Sequence, residues 1–273
     1  FPIIINGLKR LEYRGYDSAG IALLSSTNKL NIYKKKGKVK ALEDETIGQD
    51  ISGTIGIGHT RWATHGEAND VNAHPHFNAT EDIAVIHNGI IENYYSLKTE
   101  LQSRGYIFRS ETDTEVLVHL IEDILKNASV NLEEAVRLAL NEVIGAYAIV
   151  VISKNVPDKL IVAKLSSPLV VGIGENELFV ASDGSPLIEH TKKVSYLEDG
   201  QMAILHRNGN LDVKSIKDNE THVPYIDELQ LKLEEIEKGG FEHFMMKEIH
   251  EQPIAIKNSI RGRIDSEQFW VNL

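Results

Sequence analysis

The stretch GTIGIGHTRWATHG, residues 53–66, runs from an apolar segment spaced by glycines into an arginine, a tryptophan and two histidines. The apolar part reads as a strand, and Gly53, Gly56 and Gly58 let it lie close to a neighbour or a ligand. Arg61 follows, a planar fork of N–H donors matched to a carboxylate. Trp62 can lie over the same place as a lid, and Thr64 and His65 can add hydrogen bonds. The segment also fits a plain strand end whose arginine pairs with a structural acid. Two questions follow: what the arginine grips, and what attacks it in a chain that contains no cysteine.

Two further stretches bear on them. In HNGIIEN (87–93) an apolar strand, residues 83–86, delivers an Asn-Gly pair suited to a bend with positive φ. The Asn88 amide and the Gly89 N–H together make a two-donor oxyanion hole, and a simple strand-to-helix turn is the competing reading. In SETDTEVLVHL (110–120) Asp113 is either a helix N-cap or an acid that recognises an ammonium. His59, His65, His74, His76 and His87 crowd the same third of the chain. They lack helical i, i+4 spacing and thiolate companions, so they are expected to hold backbone around a pocket and to bind no metal.

Around these motifs the chain alternates helix and strand. A helix over the first residues ends at Gly15, and strands are expected at 19–24, 30–34, 53–59 and 83–87. Helices follow at 93–103, from Thr112 or Asp113 onward, and at 132–143, with a strand at 145–153. Residues 159–207 are strand-rich, and Asn208–Gly209 turns a hairpin between 202–206 and 211–215. After Pro224 the composition reads as helical. The expected layout is one domain over 1–240, then a helical tail and linker over 241–273.

Composition narrows the classes. Hydrophobic residues make up 42% and charged residues 25%, enough apolar mass for a continuous core. A net charge of −11 argues against nucleic acid, whose phosphates need a basic surface. The apolar runs are too short to span a bilayer, no signal peptide opens the chain, and a cytoplasmic address fits.

LEYRGYDSAG (11–20), HTRWATHGE (59–67), VNAHPH (71–76), HNGIIEN and SETDTE occur in this order. The set resembles the glutaminase domain of the glutamine–fructose-6-phosphate aminotransferases, the glucosamine-6-phosphate synthases. The resemblance implies an α+β N-terminal-nucleophile hydrolase: a four-layer αββα sandwich with two antiparallel sheets. It implies hydrolysis of L-glutamine to glutamate and ammonia by a leading cysteine whose own α-amino group, with a pKa of about 8, is the base. No cofactor is implied. The ammonia passes to a sugar-phosphate isomerase domain of the same polypeptide, which converts fructose 6-phosphate to glucosamine 6-phosphate in a homo-oligomer.

Residue by residue, the resemblance gives the glutamine α-carboxylate to Arg61 and its α-ammonium to Asp113. Thr64 and His65 complete the pocket, Asn88 and Gly89 form the oxyanion hole, and Trp62 gates the ammonia path. Arg14, Tyr16, Asp17 and His74 support the site. The cysteine and the family's first strand are expected to precede Phe1, and Ser166-Ser167-Pro168 stands where the family has Gly-Ser-Pro. Two alternatives stay open: the glutaminase domain of an amidophosphoribosyltransferase, and a glutamine-binding module without catalysis.

Overall fold

The structure, a computed structural model, describes residues 1–229, 240–260, 264–265 and 270–271. The chain divides into two units, Phe1–Leu229 and Gln230–Leu273.

The first unit is built on alternation. Strands β5 (Ile83–Ile91) and β6 (Gly145–Ser153) pair antiparallel along their full length, from Ile83 opposite Ser153 to Ile91 opposite Gly145. On these strands Val85, Tyr147, Ile149 and Val151 enter one core, while Ala84, Ala148, Val150 and Ile152 enter another. That period of two is what a sheet buried on both faces requires. β4 (His76–Phe77), β7 (Lys159–Leu165), β11 (Gln201–His206), β12 (Leu211–Ser215) and β13 (Thr221–His222) extend it to seven strands in the order β13-β12-β11-β7-β6-β5-β4.

Helices cover one face. α4 (Glu115–Asn127) and α5 (Leu132–Glu142) carry apolar stripes through Val116, Leu117, Leu120 and Ile121 and through Ala135, Val136 and Leu140 into the first core. α3 (Tyr94–Ser103) adds Leu101. Asn131 caps α5 by accepting from the Glu134 N–H at 2.9 Å.

The other face is covered by strands of two smaller sheets. One is β2-β1-β3, with β1 (Ser18–Leu24), β2 (Leu30–Lys36) and β3 (Ile55–Arg61). The other is β14-β10-β8-β9, with β8 (Val170–Ile173), β9 (Leu178–Ala181), β10 (Lys193–Tyr196) and β14 (Ile226–Glu228). On β1, Ala22 and Leu24 meet the large sheet while Ile21 and Leu23 turn outward under α1 (Pro2–Leu11) and α2 (Val39–Glu45). The result is helix, sheet, sheet, helix, with the second sheet layer in two pieces.

Three expectations change. The strand expected to stop at His87 runs to Ile91, so the Asn-Gly pair lies within a paired strand and not in a turn before a helix. Residues 226–228, read as the start of a helix, form β14 against β10, and the rest of that helix, 230–239, lies outside the described residues. Neither Thr112 nor Asp113 caps α4, whose N-cap position is Thr114 without a side-chain cap. In the second unit α6 spans Phe244–Ile260. No described helix is long and apolar enough to cross a membrane.

Candidate active site

A cavity of about 480 Å³ opens where the two small sheets approach the large one. Ile86, Ala148 and Val150 of the large sheet line it, together with β3, β9 and the inner face of α1 at Ile4, Leu8 and Leu11. Among the described residues β3 pairs only with β1, and β9 only with β8. Two unpaired strand edges therefore border one apolar space.

Its polar end collects the residues singled out in the sequence. Arg61, Trp62, Thr64 and His65 reach it from the end of β3 and the loop beyond, Asn88 and Gly89 from β5, and Asp113 from the loop before α4. Arg14 and His74 line it as well. Tyr16 and Asp17 stand outside the lining but touch it: the Tyr16 ring meets Trp62 edge-on at 5.6 Å, and Asp17 Oδ2 accepts from the Ala63 N–H. Asp17 also donates its own N–H to the Arg61 carbonyl at 3.2 Å. It fastens the loop that follows β3.

Arg61 is buried and has no carboxylate partner among the described residues. Its Nη1 donates to the Glu67 carbonyl at 3.2 Å, and Nη2 donates to the carbonyls of Gly66 at 3.2 Å and of His65. The guanidinium thus folds the WATHG loop around itself, which neither sequence reading foresaw. Nε and one Nη1 hydrogen have no acceptor among the described residues. Burial lowers its pKa, opposed by the nearby charges of Asp17, Asp113 and Glu111.

Gly89 has a φ of 132°, and a Cβ there would lie 2.0 Å from the Ala146 carbonyl oxygen. Only glycine meets the facing strand this closely in this conformation. Beside it, the Asn88 side chain accepts at Oδ1 from His59 Nε2 at 2.9 Å, and no described residue accepts from its Nδ2.

The SETDTE loop is organised by its last residue. Glu115 accepts from the N–H groups of Arg109 at 2.9 Å and Ser110 at 2.7 Å and from the Ser110 hydroxyl at 2.6 Å. These bonds, with His119 alongside, outweigh burial and hold its pKa at about 2. The loop then presents three side chains inward. Thr112 Oγ1 meets His76 Nε2 at 2.9 Å. Asp113 Oδ2 accepts from the Ile91 N–H at 2.8 Å. Thr114 Oγ1 lies 3.0 Å from His74 Nε2 and 2.9 Å from His87 Nδ1, and, with a single hydroxyl proton to give, it accepts from at least one of the two rings.

The histidines thus form a buried group. His59 and His74 pack at 4.3 Å between ring centroids, His74 and His76 at 4.8 Å. Burial, reinforced by neighbouring positive groups, pushes His59 down to about 4 and lowers His74 and His76 well below the usual histidine value, so all three are neutral at pH 7. Sequence reading named His74, placed His59 only among the histidines around a pocket, and gave Thr112 and Thr114 no part in the site. Thr112 and Thr114 share the period-two spacing of the loop, and that was the only available signal.

Comparison with known proteins follows the same outline. A family described as "Glutamine amidotransferase domain" matches residues 20–217. A glutamine–fructose-6-phosphate aminotransferase (isomerizing) of Bacteroides thetaiotaomicron is 58% identical over 98% of this chain and 43% of its own length. Its counterpart in Chlorobaculum tepidum is 55% identical over 100% of this chain and 44% of its own. The chain therefore spans less than half the length of these relatives. Among solved structures, a glutamine phosphoribosylpyrophosphate amidotransferase of B. subtilis superposes with a TM-score of 0.69 at 28% identity, over 80% of this chain and 47% of that one.

Proposed function

This chain belongs to the glutamine amidotransferase domain family, and from that premise we propose that it hydrolyses L-glutamine to glutamate and ammonia within a longer synthase. In that synthase the ammonia converts fructose 6-phosphate to glucosamine 6-phosphate on a sugar-phosphate isomerase domain. The identities of 58% and 55% to the fructose-6-phosphate enzymes, against 28% to a phosphoribosylpyrophosphate enzyme, favour this acceptor. Residues 1–240 are the glutaminase and 241–273 the link toward the isomerase. The full-length enzyme works in the cytoplasm as a homo-oligomer.

The observation that carries the reading is the meeting of Arg61, Asp113, Asn88 and Gly89 in one cavity from three separated segments. In our reading the free N–H groups of Arg61 take the α-carboxylate and Asp113 takes the α-ammonium. The side-chain amide then points toward Asn88 Nδ2 and the Gly89 N–H. A thiolate adds to the amide carbon, the two donors stabilise the oxyanion, and ammonia leaves with the proton that the α-amine took from the thiol. Water then cleaves the thioester, releasing glutamate and restoring the thiol.

The 273 residues hold no cysteine. We place the nucleophile on a strand that inserts between the free edges of β3 and β9, joining the two small sheets into one. The test compares glutamate release by the 273 residues with release by the same chain behind a strand that begins with cysteine. Turnover is expected only from the second, and blocking its α-amine should abolish it. Substantial turnover by the cysteine-free chain would overturn the nucleophile assignment.

A further inference from the structure

The donor that Asn88 offers the cavity depends on which way its amide is turned. A carboxamide presents NH₂ on one side and oxygen on the other, and the two orientations fill nearly the same volume. With NH₂ toward the cavity it stabilises an oxyanion, and with oxygen toward the cavity it repels one. A group beside the amide must select between them.

His59 is placed to do so. It stands two residues before Arg61 on β3, and its Nε2 lies 2.9 Å from Asn88 Oδ1 on β5. The ring is buried and packed against His74 at 4.3 Å between centroids, so it has little freedom to turn away. Its other nitrogen, Nδ1, is buried with no hydrogen-bond partner among the described residues. A proton on Nδ1 would be an orphaned buried N–H, whereas a proton on Nε2 is satisfied by Asn88. The ring therefore carries its proton on Nε2 and donates to Oδ1.

We propose that His59 is a positioning residue for Asn88: its Nε2–H holds the amide with Oδ1 toward the protein and Nδ2 toward the cavity, so the oxyanion donor is set before glutamine arrives. His59 touches neither substrate nor nucleophile in this scheme and acts only through Asn88. The inference rests on the reading of Asn88 as an oxyanion donor.

The test is steady-state glutamate release by the full-length protein. His59→Phe keeps the ring stacked on His74 but has no donor, and His59→Gln returns an N–H near the position of Nε2. Losing a hydrogen bond worth about 1–2 kcal/mol of orientation corresponds to a roughly 5–30-fold fall in kcat for His59→Phe. KM should stay within about twofold, and His59→Gln should recover most of the rate. In an Asn88→Ala background His59→Phe should cost nothing further, because the group it positions is gone. Unchanged kcat in His59→Phe, or an equal loss in both backgrounds, overturns the inference while a large kcat loss in Asn88→Ala leaves the oxyanion reading standing. Full kcat in Asn88→Ala overturns that reading itself. Should His59→Phe fail to fold, His59→Leu supplies the same comparison.

Discussion

Lowering the pH from 7.5 to 5.0 should destabilise this protein, and the buried histidines set the direction. His59 is held at about 4 when folded, against ~6.5 in the unfolded chain. Between those values the unfolded chain binds a proton at this site and the folded chain does not, so stability falls as the pH falls. At pH 5.0 the loss from His59 alone is about 2 kcal/mol. His74, His76 and His87, all lowered chiefly by burial, act in the same direction. His119 runs the other way. Against the pull of burial, Glu115 at 3.5 Å and Glu122 at 3.7 Å raise its pKa, so its stabilisation is complete below ~6.5 and fades as the pH rises. Acidification strengthens that pair and trims the total. Glu115 and Glu122, both near 2, begin to lose their contribution only below ~4.5, outside the window. The assay is urea unfolding followed by circular dichroism at half-unit pH steps. His59 should add close to 1.4 kcal/mol per pH unit to the slope between about pH 6 and pH 4, and His76→Gln should make the measured slope shallower. A change of less than ~1 kcal/mol across the window would refute the buried, neutral cluster.

Other substitutions probe the site and the backbone that supports it. Arg61→Ala should weaken glutamine binding by about 2–4 kcal/mol, since it removes the carboxylate fork and the three carbonyl bonds that fold the 65–67 loop, while Asn88→Ala should lower kcat by about 10²–10³ with little change in KM. Initial-rate kinetics in which both variants moved KM and kcat alike would argue against both roles. Gly89→Ala should abolish turnover and cost at least ~1–3 kcal/mol in thermal unfolding, because its Cβ would sit 2.0 Å from the Ala146 oxygen at a φ of 132°. Ser166 occupies a φ of 60°, a conformation that glycine adopts without strain, so Ser166→Gly should stabilise the fold by up to ~1 kcal/mol with unchanged glutaminase rate.

The amino-acid sequence by itself determined the layers and the named corners of the site. The apolar runs along 83–86 and 145–153 pointed to strands, and the apolar spacing of 116–124 pointed to a helix, while the burial of those strands on both faces emerged only from the packing. The order of the five motifs pointed to Arg61, Asn88, Gly89 and Asp113 before any coordinate was known, because each sits at a residue type that its chemistry demands. What only the tertiary structure decided is how those residues are held. His59 reaches Asn88 across 29 residues from one sheet to another, His74 reaches Thr114 across 40 between two loops, and periodicity is blind to partners so far apart in the chain. The same blindness hid the turn of Arg61 toward loop carbonyls, the spending of Asp113 on the Ile91 N–H and the persistence of β5 through Asn88 and Gly89. In each case a local preference for a turn, a cap or an ion pair lost to a hydrogen bond that exists only once distant strands have packed.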